Sequence, residues 1–174
     1  MKLRDYQIQS MSTAVYPEEL KLIYPAMGLA GEIGEVCNKL KKVFRDNHGT
    51  ITPVGMVELA KEVGDCIWYV AAVATDAGLT LSELYTARSS NVTLVMIPLR
   101  LAVCVGRVTQ IVSQAVEDPE GVRLLAQPLE RIGNLLSQLC WMMGTSLNQV
   151  AEMNRQKLLD RQARGTLQGS GDNR

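Results

Sequence analysis

Glu32-Ile33-Gly34-Glu35 and its echo Glu62-Val63-Gly64-Asp65 decide how this 174-residue chain is read. Each pattern is Glu-x-Gly-acid, and each lies in a stretch with helical periodicity. Acids three residues apart share one helix face. With Glu32 at zero on a wheel of about 100° per residue, Leu29, Ile33, Val36, Leu40 and Val43 fall between about 20° and 100°. Glu35 falls near about −60° on the same wheel. The acids therefore border the apolar stripe. In the second stretch Leu59, Val63, Cys66, Ile67, Val70 and Val73 form the stripe, and Glu58, Glu62 and Asp65 line its edge.

Like charges at this spacing repel by a few tenths of a kcal/mol. Holding them beside a core costs several times more unless a partner is present. Two such pairs facing each other across a helix contact would gather four carboxylates, which suits a hard cation such as Mg2+. Glu58 is a candidate auxiliary ligand. The plain alternative is two amphipathic helices with solvated acidic edges. Glycine costs about 1 kcal/mol against alanine inside a helix. Its repetition at Gly34 and Gly64 leads us to expect a close helix crossing there.

Further residues carry a resemblance. Gly28-Leu29-Ala30-Gly31-Glu32-Ile33-Gly34-Glu35-Val36, then Glu62-Val63-Gly64-Asp65-Cys66-Ile67-Trp68-Tyr69, resembles the motif of the MazG-like nucleoside triphosphate pyrophosphohydrolases, in the all-α NTP pyrophosphatase superfamily. The C-terminal run Asn154-Arg155-Gln156-Lys157-Leu158, with Arg161, Arg164, Gly165 and Gly169-Ser170-Gly171-Asp172, resembles the family's tail. The likeness covers roughly residues 5–88 and 144–174. It implies an all-α helical bundle, with Glu32, Glu35, Glu62 and Asp65 as catalytic metal ligands for Mg2+, and Mn2+ as a substitute. It also implies phosphate contacts from Asn154, Lys157, Arg161 and Arg164, and base or sugar contacts from Gln7, Thr13 and Tyr16. The implied reaction cleaves a nucleoside triphosphate to the monophosphate and pyrophosphate. The compact length and tail resemble phage-type members, which points toward (d)GTP. A broad-specificity housecleaning enzyme and a dUTP or dCTP enzyme are the alternatives.

Several residues have two readings. Lys39 and Lys42 follow the acids along the same edge, either to neutralise phosphate or as a solvated face that complements the helix C-terminus. Trp68 either stacks on a base or closes the site, or else packs in the core or at an oligomer contact. His48, the only histidine, sits in the turn Asp46-Asn47-His48-Gly49 and has no partner for a zinc site or a triad. Cys37, Cys66, Cys104 and Cys140 lack CxxC spacing and read as buried reduced thiols of a cytoplasmic protein, in the host cytoplasm if viral.

Residues 1–24 read as an amphipathic helix followed by a turn at Tyr16-Pro17. Helices are expected over about 25–44, 54–77 and 79–90. Leu29-Ala30-Gly31-Glu32-Ile33-Gly34-Glu35-Val36 is then echoed by Leu101-Ala102-Val103-Cys104-Val105-Gly106-Arg107-Val108, and Asp65-Cys66-Ile67-Trp68 by Gln138-Leu139-Cys140-Trp141. In this register Glu32, Glu35, Glu62 and Asp65 become Cys104, Arg107, Leu135 and Gln138. We expect one domain with a degenerate internal duplication: repeat one over about 25–91, repeat two over about 98–154, and a flexible tail over about 165–174. Asn154, Lys157 and Arg161 have no basic counterpart set at Arg88 and Asn91. One composite site per chain follows, with acids from the first half and phosphate-gripping groups from the second. Chance similarity between amphipathic helices is the alternative.

Eighteen basic and eighteen acidic residues give zero formal net charge. That leaves no whole-chain footprint for nucleic acid. Met1-Lys2-Leu3-Arg4-Asp5 does not open a signal peptide. No apolar run is expected to span a bilayer, so no membrane partner is expected. Apolar faces on both repeats suggest a homo-oligomer, a dimer or tetramer. A reading from another class is a non-catalytic helical adaptor that uses Trp68, Trp141 and Met142-Met143 as its contact surface.

Overall fold

A computed structural model describes residues 3–84, 92–115 and 118–168. The chain is all-α, with no strand among the described residues. A short α1 (Leu3–Ser10) leads through 3-10 turns at Met11–Thr13 and Glu18–Leu20 into the long α2 (Ile23–Asn47) and α3 (Pro53–Asp76). A single turn, α4 (Leu81–Leu84), follows. Then come α5 (Ile97–Ala115), the short α6 (Pro119–Arg123), α7 (Ala126–Met142) and α8 (Leu147–Ala163). Residues 85–91, which hold the rest of the expected fourth helix with Arg88 and Asn91, lie outside the described residues, as does Gly169-Ser170-Gly171-Asp172.

Local chemistry sets the ends. The expected N-terminal helix stops at Ser10 because the hydroxyls of Ser10, Ser12 and Thr13 each donate to the carbonyl three residues back, which favours tight turns. Leu22 adopts φ 63°, unusual without glycine, and its N–H donates to Asp76 Oδ2 at 2.9 Å. That bond holds the corner from which α2 starts, two residues ahead of Pro25. His48 is exposed and ends α2 in the left-handed conformation. Thr52 caps α3 by accepting from the Gly55 N–H, with Pro53 in the first turn. Ser146 and Gln149 form a reciprocal capping box on α8.

The burial register repeats across the two halves. Leu29, Ile33, Val36 and Leu40 of α2 are buried, and so are Leu101, Val105, Val108 and Val112 of α5. Leu59, Val63, Cys66 and Ile67 of α3 match Ile132, Leu136, Leu139 and Cys140 of α7. The glycines that follow α3 and α7 have φ 67° at Gly78 and 73° at Gly144. Packing follows the same pattern: α2 lies on α5, α3 lies on α7, and α8 covers α3 as α4 covers α7. One continuous core runs through both halves.

Three expectations are corrected. Leu94–Gln114 is 21 residues with mean hydropathy 1.6, long and apolar enough by length and composition to cross a membrane. Within the bundle its apolar side joins the common core through Leu101, Val105, Val108 and Val112. The proposed adaptor surface is discontinuous, since Trp141 is 76% exposed while Met143 is buried and Met142 only half-buried. Gly34 does not mark a close crossing, because a Cβ there would meet nothing within 4 Å. The α2–α3 approach is tight at Gly28 instead, where a Cβ would run into the Tyr69 ring. Gly64 faces α8, with Asn154 Cβ at 3.0 Å.

Gly28→Ala must push the Tyr69 ring aside, and we expect it to destabilise the protein by about 1–3 kcal/mol. Gly31→Ala meets open space on a helix and is expected to be neutral or to stabilise by up to about 1 kcal/mol. Urea denaturation of both variants checks the contrast, and equal midpoints would refute this account of the crossing.

Candidate functional site

Residue Glu32 on α2 and residues Glu62 and Asp65 on α3 bring one carboxylate oxygen each to within 4.8 Å of one another. All three are half-buried. Each acid sits at the rim of its helix's buried stripe, so packing the two stripes together drives the acids together. Glu35 is exposed, one turn further along α2, and lies outside this group although its charge still acts on Glu32.

Two lysines answer two of the three charges. Lys157 Nζ donates to Asp65 at 2.6 and 2.8 Å. Lys39 Nζ pairs with Glu62 at 3.1 Å and with Glu58 at 3.3 Å. Glu58 is thereby exposed and tied to Lys39 rather than drawn into the acidic group. Among the described residues Glu32 has neither an ion pair nor a hydrogen bond. Its carboxyl is pushed up to about 7, first by burial, then by the charges of Asp65 and Glu62, with Lys157 pulling the other way. An oxygen-only donor set, half-buried and with one carboxylate unanswered, fits a hard divalent cation.

The second half of the chain completes the site. Asn154 on α8 is buried and donates Nδ2–H to Asp65 Oδ1 at 2.8 Å. Its Oδ1 accepts from the Tyr6 hydroxyl at 2.9 Å, which ties α1 to the same point. A cavity of about 430 Å³ opens beside the acids. Its lining includes Glu32, Asp65 and the buried Arg161 together with Thr13, Tyr16, Tyr24, Trp68 and Tyr69. Tyr16 and Tyr24 stack with centroids 5.4 Å apart at 17°. Asp76 accepts from the Tyr16 hydroxyl and raises its pKa, behind burial as the larger cause. The Trp68 indole N–H donates to Thr13 Oγ1 at 3.0 Å and to the Ser10 carbonyl at 3.2 Å.

Of the expected base or sugar contacts, Thr13, Tyr16 and Trp68 line the cavity. Gln7 does not: its amide donates to Thr75 Oγ1 and the Leu79 carbonyl and accepts from the Leu81 N–H, a scaffold role. Among the expected phosphate contacts Arg161 lines the cavity, Asn154 and Lys157 grip Asp65, and Lys39 holds the acidic edge. Arg164 pairs with Asp160 on an exposed face and is not part of the wall. Sequence reasoning missed Tyr6, Tyr24 and Tyr69. Only their aromatic size was visible, and nothing local marked their partners.

The Gene 37 protein of Mycobacterium phage L5 is 42% identical over 92 residues, spanning 49% of this chain and 80% of that protein. The chain belongs to the family of this phage protein. No family model and no solved structure matches it. The Gene 37 protein carries only its gene number as a name, so membership of its family establishes kinship and assigns no chemistry. The chemistry rests on the side chains above.

The raised Glu32 has a consequence for stability. Unfolded, the group titrates near 4.5; folded, near about 7. Between these values the folded state holds more protons, so without added metal stability falls as pH rises from about 4.5 through about 7. Glu32→Gln is expected to remove this slope and to stabilise the protein at pH about 8 by roughly 1–2 kcal/mol, after allowance for partial exposure. Thermal melts across pH in EDTA test this. An unchanged slope would mean that Glu32 is not strained by its acidic neighbours.

Proposed function

We propose that this protein is a metal-dependent nucleoside triphosphate pyrophosphohydrolase of the MazG-like kind. The observation that carries the reading is the convergence of Glu32, Glu62 and Asp65 beside a cavity whose lining also holds Arg161 and the stacked Tyr16 and Tyr24. Carboxylates without a cation would repel a polyphosphate, so the donor set and the cavity make sense together only through a metal. Mg2+ held by Glu32, Glu62 and Asp65, with Glu35 one turn away, would neutralise phosphate charge and activate the attacking water. Mn2+ is expected to substitute.

The protein's own groups then have defined tasks. Lys157 holds Asp65 in position before substrate arrives. Arg161 offers a guanidinium to the phosphates. Tyr16, Tyr24 and Trp68 present apolar faces of the size a base needs. Phosphoryl-transfer catalysis of this kind is mostly positioning and charge neutralisation. Water would attack the α-phosphate, and pyrophosphate would leave. Among bases we favour (d)GTP. The repeated burial register leads us to infer a duplicated helical hairpin in which only the first copy keeps the acids. The phage relative fits a protein acting inside a host cell.

The adaptor reading gains little from the fold. Trp68 is tied inward to Thr13 and Ser10, and only Trp141 of its proposed contact residues stands well exposed.

Pyrophosphate release from each common NTP and dNTP, with Mg2+, Mn2+ or EDTA, tests the reaction. We expect metal-dependent release, greatest with (d)GTP. Asp65→Asn and Glu35→Gln are each expected to lower turnover by about 100-fold or more without loss of fold. Wild-type turnover in Glu35→Gln would remove that residue from the site. Wild-type turnover in Asp65→Asn would remove the site itself.

A further inference from the structure

A second cavity, of about 580 Å³, lies between α5 and α7. Its wall includes Cys104 and Leu135, the residues that stand where Glu32 and Glu62 stand in the first half. The place is the same in the repeated register, but the charge is inverted. Arg100 and Arg131 line the second cavity, and neither makes an ion pair among the described residues. The Cys104 thiol is raised by burial and drawn back by the charges of Arg131 and Arg100, so both guanidinium groups lie within electrostatic reach of the former acid position. Among the described residues Glu130 is the one acid on the wall, so their charges there sum to one positive unit.

The remaining lining is suited to more than a bare anion. The buried Val92 and Leu135 and the exposed Val103 give apolar lining, while Gln127 and Asn134 offer side-chain amides. Gln138, in the place of Asp65, donates to the Val92 carbonyl where Asp65 accepts from Lys157. The acidic chemistry that requires a cation is therefore gone from this half, while a cavity of ligand size remains. A triphosphate carries too much charge for two arginines. A single phosphate, at about −1.5 to −2 charges, matches two guanidinium forks.

We propose that the cavity between α5 and α7 is a metal-free binding site for a nucleoside monophosphate, with Arg100 and Arg131 on the phosphate and Gln127 and Asn134 on the sugar or base. The choice of a nucleotide rests on the nucleotide reading of the first cavity. The phosphate site itself stands on the two arginines and does not depend on that reading.

Calorimetric titration of the full chain in EDTA decides the matter, with nucleoside monophosphates, ribose 5-phosphate and inorganic phosphate as probes. The expected result is saturable binding of a nucleoside monophosphate with Kd of about 1 mM or tighter, and about tenfold weaker binding of inorganic phosphate. The double variant Arg100→Ala/Arg131→Ala, changed at exposed positions, should weaken binding by about tenfold or more. Asp65→Asn should leave it unchanged even where triphosphate turnover is lost. Monophosphate binding without any triphosphate turnover in the wild type would support this site and fail the first reading alone. Binding no tighter than that of ribose 5-phosphate or inorganic phosphate would overturn the nucleotide assignment. No saturation with any probe, or binding that survives the arginine changes and disappears in Asp65→Asn, would overturn the site.

Discussion

Asp65 meets Lys157 and Asn154 where α8 crosses α3, and the site depends on that meeting. Asn154 is the hinge of the arrangement. It is buried, it donates to Asp65, and it accepts from Tyr6 near the opposite end of the chain. A buried amide or carboxylate left without such partners costs about 1–3 kcal/mol, more when charged. Three elements, α1, α3 and α8, are thereby fixed at one point. Gly64 makes the approach possible, since a side chain there would press on Asn154. Its cost in helix propensity, about 1 kcal/mol, is offset by the bonds that the close crossing permits.

The same crossing creates an electrostatic tension that the fold does not remove. Lys157 and Lys39 answer Asp65 and Glu62, and Glu32 is left with burial and two like charges around it. The surrounding stripes, fully buried at Leu29, Val36, Leu59 and Val63, hold the acids in place regardless. Apolar burial of this kind contributes about 1.5–3 kcal/mol per large side chain, enough to carry one strained carboxylate. Glu32 is thus held by packing rather than by a partner of its own.

Much of this was legible in the sequence because helical periodicity reports burial. The long helices α2 and α3 appear within three residues of where the apolar stripes place them, and the acids lie at the stripe edges as the wheel requires. The repeated register of α2 and α3 in α5 and α7 was legible for the same reason. Periodicity does not report partners across the chain. Gln7 looked like a ligand-contact residue, yet its amide is spent on Thr75, Leu79 and Leu81. Gly34 looked like a crossing point by analogy with Gly64, but nothing lies close to Gly34 while Gly64 faces Asn154. Tyr6, Tyr24 and Tyr69 carried no local signal because their roles arise from residues far away in sequence. The Leu22 corner was equally hidden, since Asp76, which holds it, comes a whole helix hairpin later.

The two cavities show how differently packing and chemistry are constrained. Replacing Ile33 by Val105 or Val63 by Leu136 keeps an apolar side chain of similar size in the same buried place, which cores tolerate well. Replacing Glu32, Glu62 and Asp65 by Cys104, Leu135 and Gln138 removes every negative charge at once while leaving the helix faces intact. A half-changed set would be worse than either end state, because a lone carboxylate beside a core has neither a cation nor a lysine to meet it. Under the proposed duplication, absence of all three acids in one half and presence of all three in the other is therefore the stable pair of outcomes. The acids of α2 and α3 in turn need α8, which lies in the second half of the chain. The halves are thus bound together by charge across α3 and α8 as well as by the shared core, and the first half's acids would stand partly unanswered without the second.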